Sequence, residues 1–211
     1  MKWRVVVPPN KEIEKMKNID IEGVAALMQA YDALGEEMAV ARKATNFYCL
    51  EGCGACCYTP SKNLEVTLFE AIPMAMALIK DGVHEAFLAE LEVGDCGERP
   101  CVMYSLTSED GKMGFCKQYE ARPLICRLFG SSKKVGKDGV LLPIVCKPLK
   151  AIHFGSEQQK GAIMAVLPLS ATVSARARAL NLGLSQELFG INEAVRRALH
   201  YVLQRMEYGE Q

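Results

Sequence analysis

Cys49-Leu50-Glu51-Gly52-Cys53-Gly54-Ala55-Cys56-Cys57 packs four of the chain's nine cysteines into nine residues, with two glycines between them. Two residues separate Cys53 from Cys56, so a tight turn can aim both sulfurs at one centre. Gly52 and Gly54 permit the backbone angles of such a wrap. Cys49, three residues ahead of Cys53, can join the same centre. The adjacent pair adds a constraint. Neighbouring side chains diverge by about 180° on an extended chain and about 100° on a helix. Cys56 and Cys57 are therefore expected to serve two centres, or one centre and one free thiolate.

Working outward, Cys96, Cys101, Cys116, Cys126 and Cys146 follow at wide spacings, so the fold must bring them together. Cys101, Cys116, Cys126 and Cys146 added to the first four give eight sulfurs, enough for two four-cysteine sites. Cys96, beside the acidic Glu92, Asp95 and Glu98, is the odd one out. The first cluster, followed by Phe115-Cys116-Lys117-Gln118-Tyr119-Glu120-Ala121-Arg122-Pro123-Leu124-Ile125-Cys126-Arg127-Leu128-Phe129, resembles the CxxCxxCC cysteine-cluster family of zinc- or iron-chelating proteins. That resemblance spans about Cys49 to Cys146 and rests above all on Tyr119–Arg127. The sequence departs from the family's pattern in one place: three residues, not two, separate Cys49 from Cys53. Flagellin lysine methylases resemble the same family, which leaves a metal-dependent methyltransferase open.

Arg122 and Arg127 lie among the cysteines. Guanidinium groups and backbone N–H donors near sulfur stabilise a thiolate site's negative charge and raise an iron–sulfur potential. Both arginines are expected to support a bound cofactor in this way. Between Lys112 and Lys150 nine basic residues face only Glu120 and Asp138. Lys133, Lys134 and Lys137 in that stretch read as a solvated basic face.

Zinc sites commonly use two knuckles of paired cysteines and often histidine. Here only Cys53 and Cys56 form such a pair, and His84, His153 and His200 lie away from the cysteines. Iron–sulfur ligation accepts three clustered cysteines plus a distant fourth near a proline, as in Cys146-Lys147-Pro148. An iron–sulfur cluster, of four-iron type, is the leading cofactor; zinc is the alternative, and a redox dithiol or disulfide is weaker. Nothing resembles a secretion signal, and a reducing cytoplasm favours metal ligation over disulfides.

The chain has 25 basic and 25 acidic residues, so its global charge points to neither nucleic acid nor membrane. Half its 211 residues are hydrophobic, enough for one real core without metal as compensation for small size. Residues 1–211 are expected to form a single domain. A cysteine-cluster core of about 45–150 would carry helical N-terminal (about 10–44) and C-terminal (about 151–211) regions packed on it.

A short strand is expected at Trp3–Val7. Apolar residues from Val24 to Ala41 recur at helical spacing over 21–44, with Asp20 as N-cap. Thr67 and Glu70 have capping-box spacing for a helix over 68–80, where Pro73 would kink it or mark its true start. Residues 84–92 form a third helix, and 139–145 a strand. Ile191, Val195, Ala198, Leu199, Val202 and Met206 form a stripe of period 3.6 expected to pack on the body. The fold class is thus mainly α, with few short strands and an irregular, metal-organised middle.

Three functions compete. The first is a redox, electron-transfer or cluster-handling protein with a redox or protein partner. The second is a zinc-held interaction module, and the third a methyl-transferring enzyme. The sequence lacks GxGxxG, P-loop, GxSxG and HExxH motifs, and Glu51, Glu120 and Tyr119 read as turn or surface groups, so no catalytic residue is assigned. Oligomeric state is left open.

Overall fold

The structure, a computed structural model, describes residues 19–94, 96–110 and 113–209. The strand expected at Trp3–Val7 lies outside them. Among the described residues the chain forms eight α-helices and six short strands, a mainly helical fold with few strands.

α1 spans Val24–Thr45 and buries Leu27, Tyr31, Leu34, Met38 and Ala41, the predicted stripe. Its cap differs from expectation. Gly23, not Asp20, precedes the helix, at φ 84. A Cβ there would stand 2.5 Å from the Leu180 carbonyl oxygen, so the backbone approach itself selects glycine.

α2 (Leu68–Lys80) starts as the sequence predicts. Thr67 Oγ1 accepts from Glu70 N at 3.2 Å, and Glu70 Oε2 accepts from Thr67 N at 3.1 Å, closing the capping box. Pro73 therefore does not mark the start; it sits inside the helix and is itself buried. A central proline costs about 3 kcal/mol in an isolated helix. Burial of Phe69, Ile72, Met74, Leu78 and Ile79 against the rest of the core outweighs it.

α3 covers His84–Glu92, as expected. The long C-terminal helix α8, Ile191–Tyr208, lays Ile191, Val195, Ala198, Leu199 and Val202 into the core, while Met206 is half-buried. Its main partner is α2, so the stripe packs on the body. Just ahead of these two helices, β1 (Glu65–Thr67) pairs antiparallel with β6 (Leu188–Gly190). The ladder's central pair, Val66 and Phe189, joins distant parts of the chain, and α2 and α8 leave the ladder from opposite ends.

The middle of the chain contains two further ladders. β2 (Tyr104–Leu106) pairs with β3 (Gly114–Cys116), and β4 (Ser132–Val135) with β5 (Leu141–Ile144). Apart from these short hairpins and helices the cysteine-rich middle consists largely of turns and loops, the irregular region with few short strands that the sequence predicts. The short helices α4 (Leu124–Leu128) and α5 (Lys147–His153) flank the second hairpin. α6 (Glu157–Val166) and α7 (Ser170–Ala179) lead back toward α8. One connected core runs from Ile21 to Val202. Among the described residues, no helix is long and apolar enough to cross a membrane.

Candidate metal centre

The first cysteine loop lies along β3. Cys53 forms an isolated antiparallel bridge with Met113, and Gly114 N donates to Gly52 O at 3.0 Å. Within the loop, Cys57 N and Tyr58 N both donate to Gly54 O, at 2.8 and 3.0 Å, winding the chain into a turn. That turn brings the vicinal sulfurs to 3.9 Å of each other, closer than divergent neighbours would stand.

Gly54 and Gly114 are needed for a reason the sequence hid. A Cβ at Gly54 would meet Tyr104 Oη at 2.1 Å, and one at Gly114 would meet it at 2.5 Å. The Tyr104 hydroxyl fills the space between the two backbones, where Cys53, Cys56 and Cys57 raise its pKa after burial has done so first. Tyr104 also pairs with Cys116 across the hairpin, and its N–H donates to Cys101 O at 2.8 Å. Lys117 N donates to Met103 O at 2.8 Å, so Cys101 and Cys116 are held at the same end of the hairpin.

The loop that delivers Cys101 is fixed from the far end of the chain. Buried Asn192, in the first turn of α8, accepts from Val102 N at 2.9 Å and donates to Cys96 O at 2.8 Å and Pro100 O at 3.1 Å. Ser61 Oγ donates to the same Cys96 carbonyl at 2.6 Å. Cys96 thus serves this anchor through its backbone carbonyl.

Cys126 rides on α4, and the two arginines beside it divide their work. Arg122 acts on sulfur: its positive charge favours the thiolates of Cys56, Cys116 and Cys126. Arg127 does something else. Its Nε donates to Arg122 O at 2.8 Å, its Nη2 donates to Glu120 O, and its guanidinium lies 4.4 Å over the Tyr31 ring. It holds the segment that carries Arg122, while Arg122 stacks 3.3 Å over Tyr119.

Cys146 is the N-cap of α5, its Sγ accepting from Leu149 N at 3.4 Å. At the other end of this helix, His153 Nε2 donates to Tyr48 O at 2.9 Å, and its ring packs edge-on against Phe47. That tie joins α5 to the residue just before Cys49.

All nine cysteines are free thiols. Burial pushes the Cys49 thiol up, and the charges of Cys53, Cys56 and Cys146 push it further. Cys57 is raised first by its contact with Cys56, then by burial and by Cys126 and Cys101; Cys56 is correspondingly lowered by that contact. Burial raises Cys101 to about 12, with Cys116 adding to it, and raises Cys126, with Cys101 and Cys116 adding in turn. Such mutual destabilisation of thiolates is what a bound cation removes, so the donor set suits a thiophilic metal. Backbone N–H groups already face the sulfurs: Met103 and Tyr104 oppose the rise at Cys101, as does Gln118 at Cys116. Among the described residues, no three Cys, His, Asp or Glu side chains close on a single ion. Cys56 and Cys57 are in direct contact, and pairwise electrostatic coupling links Cys49 to Cys53, Cys56 and Cys146, and Cys126 to Cys56, Cys101 and Cys116.

His84 is buried and His200 lies 3.7 Å from Glu92, both away from the sulfurs. Tyr104, Asn192 and His153 are the positioning residues sequence reasoning missed. The glycines facing Tyr104 and the lone polar Asn192 beside the α8 stripe were the available signals.

Fold and site together define a mainly helical protein carrying a cysteine-rich metal-binding domain. Residues 48–147 match the model of the CxxCxxCC family, described as a "putative zinc- or iron-chelating domain", and this stretch of the chain is similar to that domain. Searches of curated proteins and of solved structures found no match.

Proposed function

We propose that the protein binds iron–sulfur clusters, of four-iron type, and works in electron transfer or cluster handling in a reducing cytoplasm, alongside a redox partner protein. What supports this reading is the run of free thiols coupled to one another, with Arg122 acting on Cys56, Cys116 and Cys126 and backbone amides on Cys101 and Cys116. An all-thiolate set with a remote member followed by proline, Cys146-Lys147-Pro148, suits iron–sulfur ligation. When bound, a cluster supplies a one-electron carrier. The chain's own contribution is to hold the thiolates, to lower their charge penalty through Arg122 and the Met103, Tyr104 and Gln118 amides, and to keep Arg122 in place through Arg127. The histidines donate no sulfur-side contact; His153 acts by tethering Tyr48.

One observation favours zinc as the second reading. A tetrahedral zinc site with Zn–S of about 2.3 Å has sulfurs about 3.8 Å apart, and Cys56 and Cys57 stand 3.9 Å apart. Anaerobic purification with iron, zinc and acid-labile sulfide analysis decides between them. The iron–sulfur reading expects brown protein with a broad band near 400 nm that dithionite bleaches. Colourless protein with stoichiometric zinc and no sulfide would replace it.

A further inference from the structure

We propose that the β4–β5 hairpin, with the start of α5, is a basic and aliphatic arm that docks the protein on an anionic lipid surface. The arm contains none of the residues discussed as metal ligands, so the proposal stands apart from the metal-binding reading.

The base of the hairpin is fixed to the body. Buried Ser132 donates through Oγ to Leu128 O at 2.8 Å, Lys133 N donates to Pro168 O at 2.9 Å, and Lys133 Nζ donates to Met164 O at 2.7 Å. Beyond that base the hairpin is uncovered: from Lys134 to Leu142 every residue except Gly136 is exposed. Its turn is nonetheless well tied, with Gly136 N donating to Val140 O at 2.8 Å and Val140 N to Asp138 Oδ1 at 3.2 Å.

What the arm exposes is more than lysine. Val135, Val140, Leu141 and Leu142 are between 43% and 55% exposed. Val135 pairs with Leu141 and Lys134 with Leu142, so alternation along the strands puts aliphatic side chains on both faces. A merely solvated basic face has no use for them. The charge is one-sided. Lys134, Lys137, Lys147 and Lys150 are exposed, and among the described residues none of them is ion-paired. Asp138 is the one acidic residue between Ser132 and Lys150, and it is bonded within its own turn. The chain's overall neutrality therefore hides a local cationic surface.

Composition selects the occupant. Protein interfaces favour aromatic residues, Met and Arg and disfavour Lys, and nucleic acids are held by aromatic stacking or read by Arg, Asn and Gln. Residues 133–142 contain none of these favoured types, only Lys, Val, Leu, Gly and one Asp. Pairing with a second copy is also poorly served, because Pro143 removes an N–H from β5 and β4 is already bridged to Leu169. Aliphatic side chains that enter the boundary of the acyl layer, with lysines reaching lipid phosphates, match what the arm offers.

The test is co-sedimentation of the full chain, purified anaerobically, with vesicles of about one part phosphatidylserine to two parts phosphatidylcholine, and with phosphatidylcholine alone, at about 0.1 M and 0.5 M salt. Binding to the anionic vesicles only, weakened at the higher salt, is expected. Each lysine near such a surface contributes about five-fold in partitioning, so K134Q/K137Q should bind roughly 25-fold more weakly. L141S/L142S should also bind more weakly, by several-fold, with its salt dependence kept. K43Q/K80Q removes two exposed lysines from α1 and α2 and should bind as wild type does. Wild type that stays in the supernatant at the lower salt overturns the proposal, and so does an equal loss of binding in K43Q/K80Q. Oligothymidylate that binds where vesicles do not would assign the arm to nucleic acid, and a dimer that L141S/L142S dissolves, without vesicle binding, would assign it to a second copy; either result overturns the lipid assignment.

Discussion

Raising the pH should destabilise the metal-free protein through Cys101. The thiol is buried, and burial moves it from an ordinary value of 9.0 to about 12. Below pH 9 both folded and unfolded chains keep this proton, so the native state's preference for the neutral thiol contributes fully. Between pH 9 and 12 the unfolded chain releases the proton while the folded one holds it, and stability falls at about 1.4 kcal/mol per pH unit. Over the three units the loss approaches about 4 kcal/mol, a large part of the ~5–15 kcal/mol that holds a domain together. Cys57, Cys126 and Tyr31 are raised as well and push in the same direction. Urea melts of reduced, chelator-treated protein at pH 8, 9, 10 and 11 measure the slope, and Cys101→Ala isolates this group from the lysines and tyrosines that also titrate. The stability difference between wild type and Cys101→Ala should shrink by about 1.4 kcal/mol per unit above pH 9. Curves that stay parallel from pH 8 to 11 would refute the reasoning. In loaded protein the slope reverses at low pH, where protons compete with metal for the sulfurs.

Two other substitutions probe the site's supports. Gly54→Ala drives a methyl group to 2.1 Å from Tyr104 Oη; metal content should drop and the melting temperature should fall by the equivalent of about 1–3 kcal/mol, with Gly54→Ala/Tyr104→Ala recovering part of both. Arg122→Gln removes the positive charge acting on Cys56, Cys116 and Cys126; redox titration should find a more negative midpoint, and if the bound metal is zinc, a competition assay should find weaker affinity, with Arg122→Lys restoring part of either.

The sequence was most legible where a signal was local. Thr67 and Glu70 lie three residues apart and announced α2 to the residue, and the α8 stripe needed only periodicity. The eight cysteines were recognisable by type and spacing. The contacts that organise them were not, because the partners are far apart in sequence: Asn192 reaches Val102 across 90 positions, and His153 reaches Tyr48 across 105. Three-residue strands such as β1 and β6 carry too few alternations to register as strands. Gly23 displaced Asp20 as the residue before α1 because a backbone oxygen from Leu180 occupies the space a side chain would need. The vicinal pair shows the same limit: average divergence angles apply to regular backbone, and the Gly54-centred turn is not regular.

The pairing of β1 with β6 has a consequence for biosynthesis. α2 cannot bury its inner face until α8 arrives, yet the last cysteine precedes the end of α8 by roughly sixty residues, which a ribosome adds in roughly 3–12 s at ~5–20 residues per second. During that interval every sulfur has already been synthesised while the helical layer behind it is unfinished. Nascent chains therefore offer their thiols to metal donors, or to oxidants, before the mature packing can shield them.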